Sequence, residues 1–457
     1  GGAGIAGGAC ARALLGLGAE VTVMDRSDSE QLAALAALGA RVVVGDEPDP
    51  ALLERVGEVV VSPGYPPYHP LVLAARKAGR EVYSEPELAW RLRRPGPAGA
   101  PPPWLAVTGT NGKTTAVTML EAVLSAAGLR AAALGNIGEP LVDAVLRPPA
   151  EQREVIAVEL SSFQLHWSAR LAPQAGALLN LADDHLDWHG GFADYAVAKA
   201  NVWRAPAGVA IGNLDHPRVA ALLANAPGRR VGFTLGEPGP GQLGVAGGAL
   251  VDRAFSDDSA GVELSAADRV SPPGSHNVAN ALAAAALARA HGVPAAAVRD
   301  GLAGYRPAPH RNALVAEVDE VAYVDDSKAT NPHAALGSLL AYPRVVWIAG
   351  GQLKGVDVDE LVTRAADRLV AVVLIGIDRS RVAEALARHA PQVPVRDVAR
   401  TDDGAMTEAV GAAAAMARPG DTVLLAPAAA SFDMFRGYAD RGEAFAAAAA
   451  GLRAAQG

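Results

Sequence analysis

Residues 104–127 place a buried apolar strand, a glycine-rich turn and a helical run in immediate succession: Trp104-Leu-Ala-Val107, Thr108-Gly-Thr-Asn-Gly-Lys-Thr-Thr115, then Ala116 to Ala127. Such a unit belongs in a parallel α/β sheet, with the turn at a strand's C-terminal end. Gly109 and Gly112 let successive backbone N–H groups face one anion at a helix N-terminus, and Lys113 adds a positive charge. Thr114 offers a hydroxyl to Mg²⁺. The general phosphate-loop pattern wants a glycine where this chain has Val107, so the string is a shorter variant of it. ATP is the ligand it points to.

The rest of the chain repeats the α/β theme. Strands are expected at Glu20 to Met24, Arg41 to Val44 and Glu58 to Val61, then at Trp104 to Val107, Val155 to Glu159 and Ala177 to Leu181, and finally at Val345 to Ala349, Ala371 to Ile375 and Thr422 to Leu425. Residues 93–103 are dominated by Pro and Gly and read as a semi-rigid linker. Residues 1–92 are therefore expected to form a Rossmann-like domain, 104–305 a central ATP-binding domain with a mainly parallel sheet, and 306–457 a C-terminal Rossmann-like domain.

With 457 residues, half of them hydrophobic, the chain has material for several cores, and a net charge of -9 disfavours broad binding to nucleic acid or anionic membranes. A single cysteine, Cys10, cannot form an internal disulfide, and no 18-residue uncharged apolar run or cleavable leader is visible. These features predict a cytoplasmic protein without membrane insertion. The chain starts at a glycine loop without an initiator methionine and reads as truncated. That loop, Gly2-Ala-Gly-Ile-Ala-Gly7, with Asp25 closing the following strand, fits a dinucleotide fingerprint and by itself suggests NAD. No strand precedes the loop to confirm that motif, and another nucleotide diphosphate is the better reading.

Two further strings carry chemistry. Glu159 ends a strand and can hold Mg²⁺, while Asn180-Leu-Ala-Asp-Asp-His-Leu-Asp-Trp-His189 crowds three carboxylates and two imidazoles behind another strand. His185 could bind a metal or move a proton. Lys199, on a helix starting near Asp194, reads by pattern alone as an ordinary exposed lysine.

Taken in order, Gly109 to Thr115, Gly135-Asn-Ile-Gly138, Glu159-Leu-Ser-Ser-Phe-Gln-Leu165, Asp184-His-Leu-Asp187, His276-Asn-Val-Ala-Asn280, His310-Arg311, Asp326-Ser-Lys-Ala-Thr-Asn331 and Ala430-Ser-Phe-Asp-Met-Phe435 resemble the Mur ligases along essentially the whole chain. The Asp326 to Asn331 string and the Ser431 to Arg441 segment resemble the D-glutamate-adding members; the Asn-Pro-Arg triplet expected of diaminopimelate-adding relatives is missing. The resemblance implies ATP-dependent amide formation between UDP-N-acetylmuramoyl-L-alanine and D-glutamate through an acyl phosphate, by a monomer. It assigns Gly109, Thr110, Asn111, Gly112, Lys113, Thr114, Thr115, Asn136, Asn277, Asn280, Arg311 and Asp326 to ATP. Thr114 and Glu159 would hold one Mg²⁺, and His185 a second, completed by a CO2-derived carbamate on Lys199. Lys113, Glu159, His185 and Lys199 form the implied catalytic set. Ile5, Asp25, Arg26, Gly64, Asn136 and Ser161 would contact the UDP-linked substrate. Lys328, Thr330, Lys354, Ser431 and Tyr438 would receive D-glutamate, with Tyr438 where the family often has phenylalanine. Contacts from both the central and C-terminal domains imply closure around the nucleotide. The rivals are an L-glutamate-adding or folylpolyglutamate synthase-like ligase, a nicotinamide-dependent dehydrogenase, and a non-catalytic Mur-like binding protein.

Overall fold

The computed structural model describes residues 2–45, 47–96 and 98–454; Pro97 of the expected linker lies outside them. The chain divides into two compact units, Gly1–Ala267 with Ala279–Gly304, and Asp268–Val278 with Tyr305–Gly457.

The first unit opens with two parallel strand pairs, β1 (Thr22–Asp25) with β2 (Arg41–Val44) and β3 (Glu58–Val60) with β4 (Glu81–Tyr83). Helices between them start at side-chain caps, as at Ser29, whose hydroxyl accepts from Leu32 N at 3.2 Å. The same unit then builds a nine-stranded sheet from β5 (Trp104–Thr108), β6 (Ala131–Gly135), β7 (Val155–Glu159), β8 (Ala175–Leu178), β9 (Val209–Asn213), β10 (Arg229–Phe233), β11 (Gln242–Ala246), β12 (Ala249–Asp252) and β13 (Val262–Ala266). The spatial order is β6-β7-β5-β8-β9-β10-β11-β12-β13. All neighbours are parallel except the pairs involving β12, which run antiparallel.

Every residue of β5, β7 and β8 is buried, which is why these strands read as continuous apolar runs. Because β5 is flanked by later strands on both sides, the loops leaving the C-terminal ends of β5 and its neighbours diverge and open a crevice. The expected strand Ala177 to Leu181 lies instead at Ala175–Leu178. Leu179 and Leu181 stay buried, but the chain has left the sheet so that Asn180 can reach the glycine loop. Sequence reading missed the hairpin β11–β12, whose two-residue turn, Gly247-Gly248, takes positive φ at both positions (56° and 80°) as tight hairpins require.

The second unit has one six-stranded sheet: β14 (Ala313–Val318), β15 (Val321–Asp325), β16 (Val345–Gly350), β17 (Leu369–Ile375), β18 (Val395–Asp397) and β19 (Thr422–Leu425), in the order β14-β15-β19-β16-β17-β18. Only the edge strand β14 is antiparallel to its neighbour. The loops after β15, β19 and β16, three adjacent parallel strands, therefore emerge at one end. No helix among the described residues is long and apolar enough to cross a membrane.

Candidate active site

The turn after β5 is shaped by glycine and fixed by side chains from the next strand. Gly112 has φ 83° and starts the helix Lys113–Ala126; a Cβ there would come within 2.4 Å of Asn280 Oδ1. Asn111 N donates to Asn180 Oδ1 at 2.9 Å, and Asn180 Nδ2 donates back to Asn111 O at 3.0 Å. Thr110 Oγ1 accepts from Ala182 N at 2.9 Å and shares a hydrogen bond with the Tyr195 hydroxyl at 2.7 Å. Lys113 Nζ folds back over this loop, donating to the carbonyls of Gly109 (3.0 Å) and Thr110 (2.8 Å). The result is a rigid cradle of backbone N–H groups at a helix N-terminus with an ammonium beside it, the chemistry of phosphate binding.

Glu159, at the end of β7, is buried next to this cradle. Its Oε2 accepts from Thr114 Oγ1 at 2.7 Å and its Oε1 from Asn136 Nδ2 at 2.9 Å. Gly135 allows the close approach: a Cβ there would lie 2.3 Å from the Glu159 carbonyl oxygen. Asn136, expected at both the adenine and the UDP-linked substrate, is thus engaged with the Glu159 carboxylate. Thr114 and Glu159 together present hard oxygen donors, a set that suits Mg²⁺ completed by waters and phosphate oxygens.

Lys199 is not the exposed lysine that its pattern predicts. It is 2% exposed, and its Nζ donates to Gly109 O at 2.8 Å. The helix Phe192–Ala200 turns Tyr195, Ala196, Ala198 and Lys199 inward, which a lysine inside an alanine-rich helix does not announce. Burial above all, with the nearby charge of Lys113, holds its pKa well below that of an ordinary lysine. As an amine it is no ligand for Mg²⁺.

His185 caps the short helix Leu186–His189 in a left-handed conformation (φ 54°). It is half exposed, with Nε2 3.5 Å from Asp184 Oδ2 and its ring 4.6 Å from that of Phe163. The two imidazoles of this string do different things. His189 is buried against the Ser162 hydroxyl, with Nε2 at 2.9 Å, and burial followed by the charges of His166 and Lys199 pushes its pKa down to about 4. The described residues contain no group of three or more His, Cys, Asp or Glu side chains arranged to hold a metal. Thr114 and Glu159 offer oxygen donors of the kind that Mg²⁺ takes.

The N-terminal loop is held by Asp25. Its two carboxylate oxygens accept from Ala3 N (2.6 Å) and Arg26 N (2.7 Å), so the residue expected at a ligand shapes the loop itself. Ile5 is 79% exposed at the first turn of the helix Ile5–Gly16. The Gly64 carbonyl accepts from Trp188 Nε1 at 3.1 Å. Ser161 caps the helix Ser162–His166 in a reciprocal pair with Gln164: its Oγ accepts from Gln164 N at 3.2 Å, and its own N–H donates to Gln164 Oε1 at 2.9 Å.

In the second unit Asp326 follows β15 and is buried. It accepts from Asn312 N at 3.2 Å and from the Ser338 hydroxyl, and burial pushes its pKa up to about 7. Arg311 contributes a nearby positive charge that opposes this shift. Lys328 Nζ stands 3.7 Å from the centre of the Tyr438 ring, and Thr330 N donates to Lys328 O at 2.8 Å. Lys354 is exposed in a left-handed turn (φ 52°) after β16. Gln352, two residues before it, pairs through its backbone with Ala430 at 2.9 and 3.0 Å, beside the buried Ser431. Asn277 Nδ2 donates to Pro273 O at 3.2 Å.

Sequence reasoning missed several residues that set this geometry. Tyr195 holds Thr110, and buried Arg441 donates to Ser327 Oγ (2.9 Å), Ser327 O (2.8 Å) and Ala429 O (3.1 Å), tying together the loops after β15 and β19. Asn180 stood in a quoted string, but its partner is 69 residues away. Local spacing carries no signal for such bonds.

The chain belongs to the Mur ligase family, whose members are ATP-dependent amide-bond ligases. Residues 107–288 match the Mur ligase middle domain, residues 310–429 the glutamate ligase domain, and residues 1–84 the MurD-like N-terminal domain. Among its relatives is the UDP-N-acetylmuramoylalanine--D-glutamate ligase of Streptomyces avermitilis, 54% identical over 99% of this chain and 97% of the relative. The enzyme of the same name from Thermobifida fusca is 55% identical over 97% of this chain and 96% of its own length. UDP-N-acetylmuramate-alanine ligase from Thermotoga maritima shares the fold, with a TM-score of 0.58 at 18% identity over 99% of this chain and 98% of that one. So does the Thermotoga maritima MurF ligase in complex with ADP, with a TM-score of 0.59 at 18% identity over 89% and 97% of the two chains.

Proposed function

We propose that this protein joins D-glutamate to UDP-N-acetylmuramoyl-L-alanine at the expense of ATP in peptidoglycan precursor synthesis. The observation that carries this reading is the assembly of Lys113, Thr114 and Glu159 around a phosphate cradle in a chain 54% identical to D-glutamate ligases along nearly its whole length.

A carboxylate is a poor electrophile until it acquires a leaving group. The alanyl carboxylate attacks the γ-phosphate of ATP to give an acyl phosphate and ADP. The amine of D-glutamate then displaces phosphate through a tetrahedral intermediate. Phosphoryl transfer needs charge stabilisation at fixed positions more than a protein nucleophile. Lys113, withdrawn from the Gly109 and Thr110 carbonyls, neutralises the β- and γ-phosphates, and the N–H groups of Gly109 to Thr115 hold them. Thr114 and Glu159 would hold Mg²⁺, which would supply further positive charge. Asn136 keeps the Glu159 carboxylate aimed, and Asn280 packs over Gly112. Asn277, Arg311 and Asp326 are assigned to the nucleotide. Ile5, Asp25, Arg26, Gly64 and Ser161 are assigned to the UDP-linked substrate, and Lys328, Thr330, Lys354, Ser431 and Tyr438 to D-glutamate. Residues 1–92, 104–305 and 306–457 are the corresponding domains, joined between the first two by residues 93–103. The protein works in the cytoplasm as a monomer.

A buried lysine with a depressed pKa presents the neutral amine that CO2 requires, and Lys199 is such a residue. A carbamate on Lys199 would offer oxygen ligands that, with His185, would hold a second Mg²⁺. Lys199→Ala is expected to be nearly inactive and to recover with added acetate; full activity without acetate would remove the carbamate from the mechanism. The reaction itself is tested by incubating the protein with ATP, Mg²⁺, UDP-N-acetylmuramoyl-L-alanine and a panel of amino acids, with products identified by mass. D-glutamate should be the amino acid incorporated, and a preference for L-glutamate would overturn the assignment.

A further inference from the structure

We propose that Trp167 and Trp188 are positioning residues that lock the turn Ser62 to Tyr65 and so fix where the UDP-linked substrate lies relative to the phosphate loop. This rests on the function proposed above. The turn is closed by Tyr65 N donating to Ser62 O at 3.0 Å, and it lies against the N-terminal glycine loop: a Cβ on Gly2 would stand 3.1 Å from Ser62 Cβ. Two indoles far along the chain also reach it. Trp188 Nε1 donates to the Gly64 carbonyl and Trp167 Nε1 to the next carbonyl, Tyr65 O, both at 3.1 Å. Both rings are buried, in one cluster with Met24, Val59, Val61 and Leu71.

The origins of the two indoles give the arrangement its consequence. Trp188 belongs to the helix that His185 caps, and Trp167 ends the helix that Ser161 caps. Each N–H therefore ties the turn bearing Gly64 to a segment bearing a residue assigned to the reacting end. An indole N–H only donates, so replacing tryptophan by phenylalanine removes the bond with no substitute. Trp203 supplies an internal comparison, because its Nε1 makes the same kind of bond, 2.9 Å to Gly176 O of strand β8.

The test compares Trp167→Phe, Trp188→Phe and Trp203→Phe by steady-state kinetics and by calorimetric binding of UDP-N-acetylmuramoyl-L-alanine. Losing either anchor should raise KM and Kd for the UDP-linked substrate roughly five- to thirtyfold, leaving KM for ATP and D-glutamate unchanged. Trp203→Phe should leave all three unchanged. Unaltered binding in both anchor variants, or an equal loss for every substrate, would overturn the proposal. Should Trp188→Phe fold poorly, benzothienylalanine at position 188 keeps the ring shape and removes only the N–H. Hydrogen exchange at the amides of Ser62, Gly64 and Tyr65 separates the two readings: faster exchange in the variants supports the anchors even if the wild type binds no UDP-linked substrate, which would sink the proposed function alone, whereas unchanged exchange sinks the anchors.

Discussion

The loops after β5 and β15 leave equivalent ends of parallel strands in their respective units, yet their electrostatics are opposite. Around the first, two lysine amino groups converge on the single carbonyl of Gly109, one of them fully buried, and the neighbouring carboxylate Glu159 is satisfied by a hydroxyl and an amide. Around the second, the carboxylate Asp326 is the buried group, while the cations Lys328 and Lys354 stay partly or wholly exposed. Burial decides which group in each loop gives up its charge: the lysine in the first, the aspartate in the second. A phosphate site can be rigid because every ATP presents the same anion. Exposed cations on long side chains suit the two carboxylates of an amino acid.

The largest effect should come from Lys113→Ala. Removing its charge from the phosphoryl-transfer transition state is expected to lower kcat by roughly 10² to 10⁵, with the thermal unfolding temperature unchanged because the side chain faces the loop and not a core. Wild-type turnover in a folded Lys113→Ala protein would break the comparison outright.

Asp326→Asn sharpens it from the other side. With the folded pKa raised from 3.8 to about 7, the folded state holds this proton more tightly than the unfolded chain does. The stability this contributes is complete below about pH 4 and is lost as pH rises through 7. An asparagine keeps an acceptor for Asn312 N, and the Ser338 hydroxyl can turn to accept. The variant should therefore be more stable than wild type at pH 8, by on the order of 4 kcal/mol, with the gap closing towards pH 4. Denaturant midpoints across pH would show this, and a constant offset would mean that Asp326 carries no depressed ionisation.

The smallest effect is expected at Lys354. An exposed cation lost from a carboxylate contact costs about 1.5 to 3 kcal/mol, so Lys354→Ala should raise KM for D-glutamate roughly ten- to hundredfold and leave that for the UDP-linked substrate alone. A defect confined to the UDP-linked substrate would reassign the exposed cations.

What could be read in advance follows the same division. The runs at Val155–Glu159 and Thr422–Leu425 were legible because both faces of those strands are buried, so apolar identity and strand boundaries coincide. The glycine loop, the carboxylate at the end of β7 and the family's motif order were legible because each is contiguous. The start of the helix Ser275–Ala290 was not legible, because polar Ser275, His276 and Asn277 open it without an apolar signal. The burial of Lys199, the separation of His185 from His189 and the service of Asn136 to Glu159 depend on which helix faces which loop, and spacing along the chain does not encode that.

The paired tryptophans bear on how such an enzyme can be recombined. Trp167 and Trp188 fill the core that Met24, Leu53, Val59 and Leu71 begin, although they are translated long after those residues. Until the ribosome has added both rings, that early segment lacks part of its own filling and must wait, half finished, for later chain to complete it. A chimera that borrowed its first module from a relative would inherit the mould without the cast unless the two indoles travelled with it.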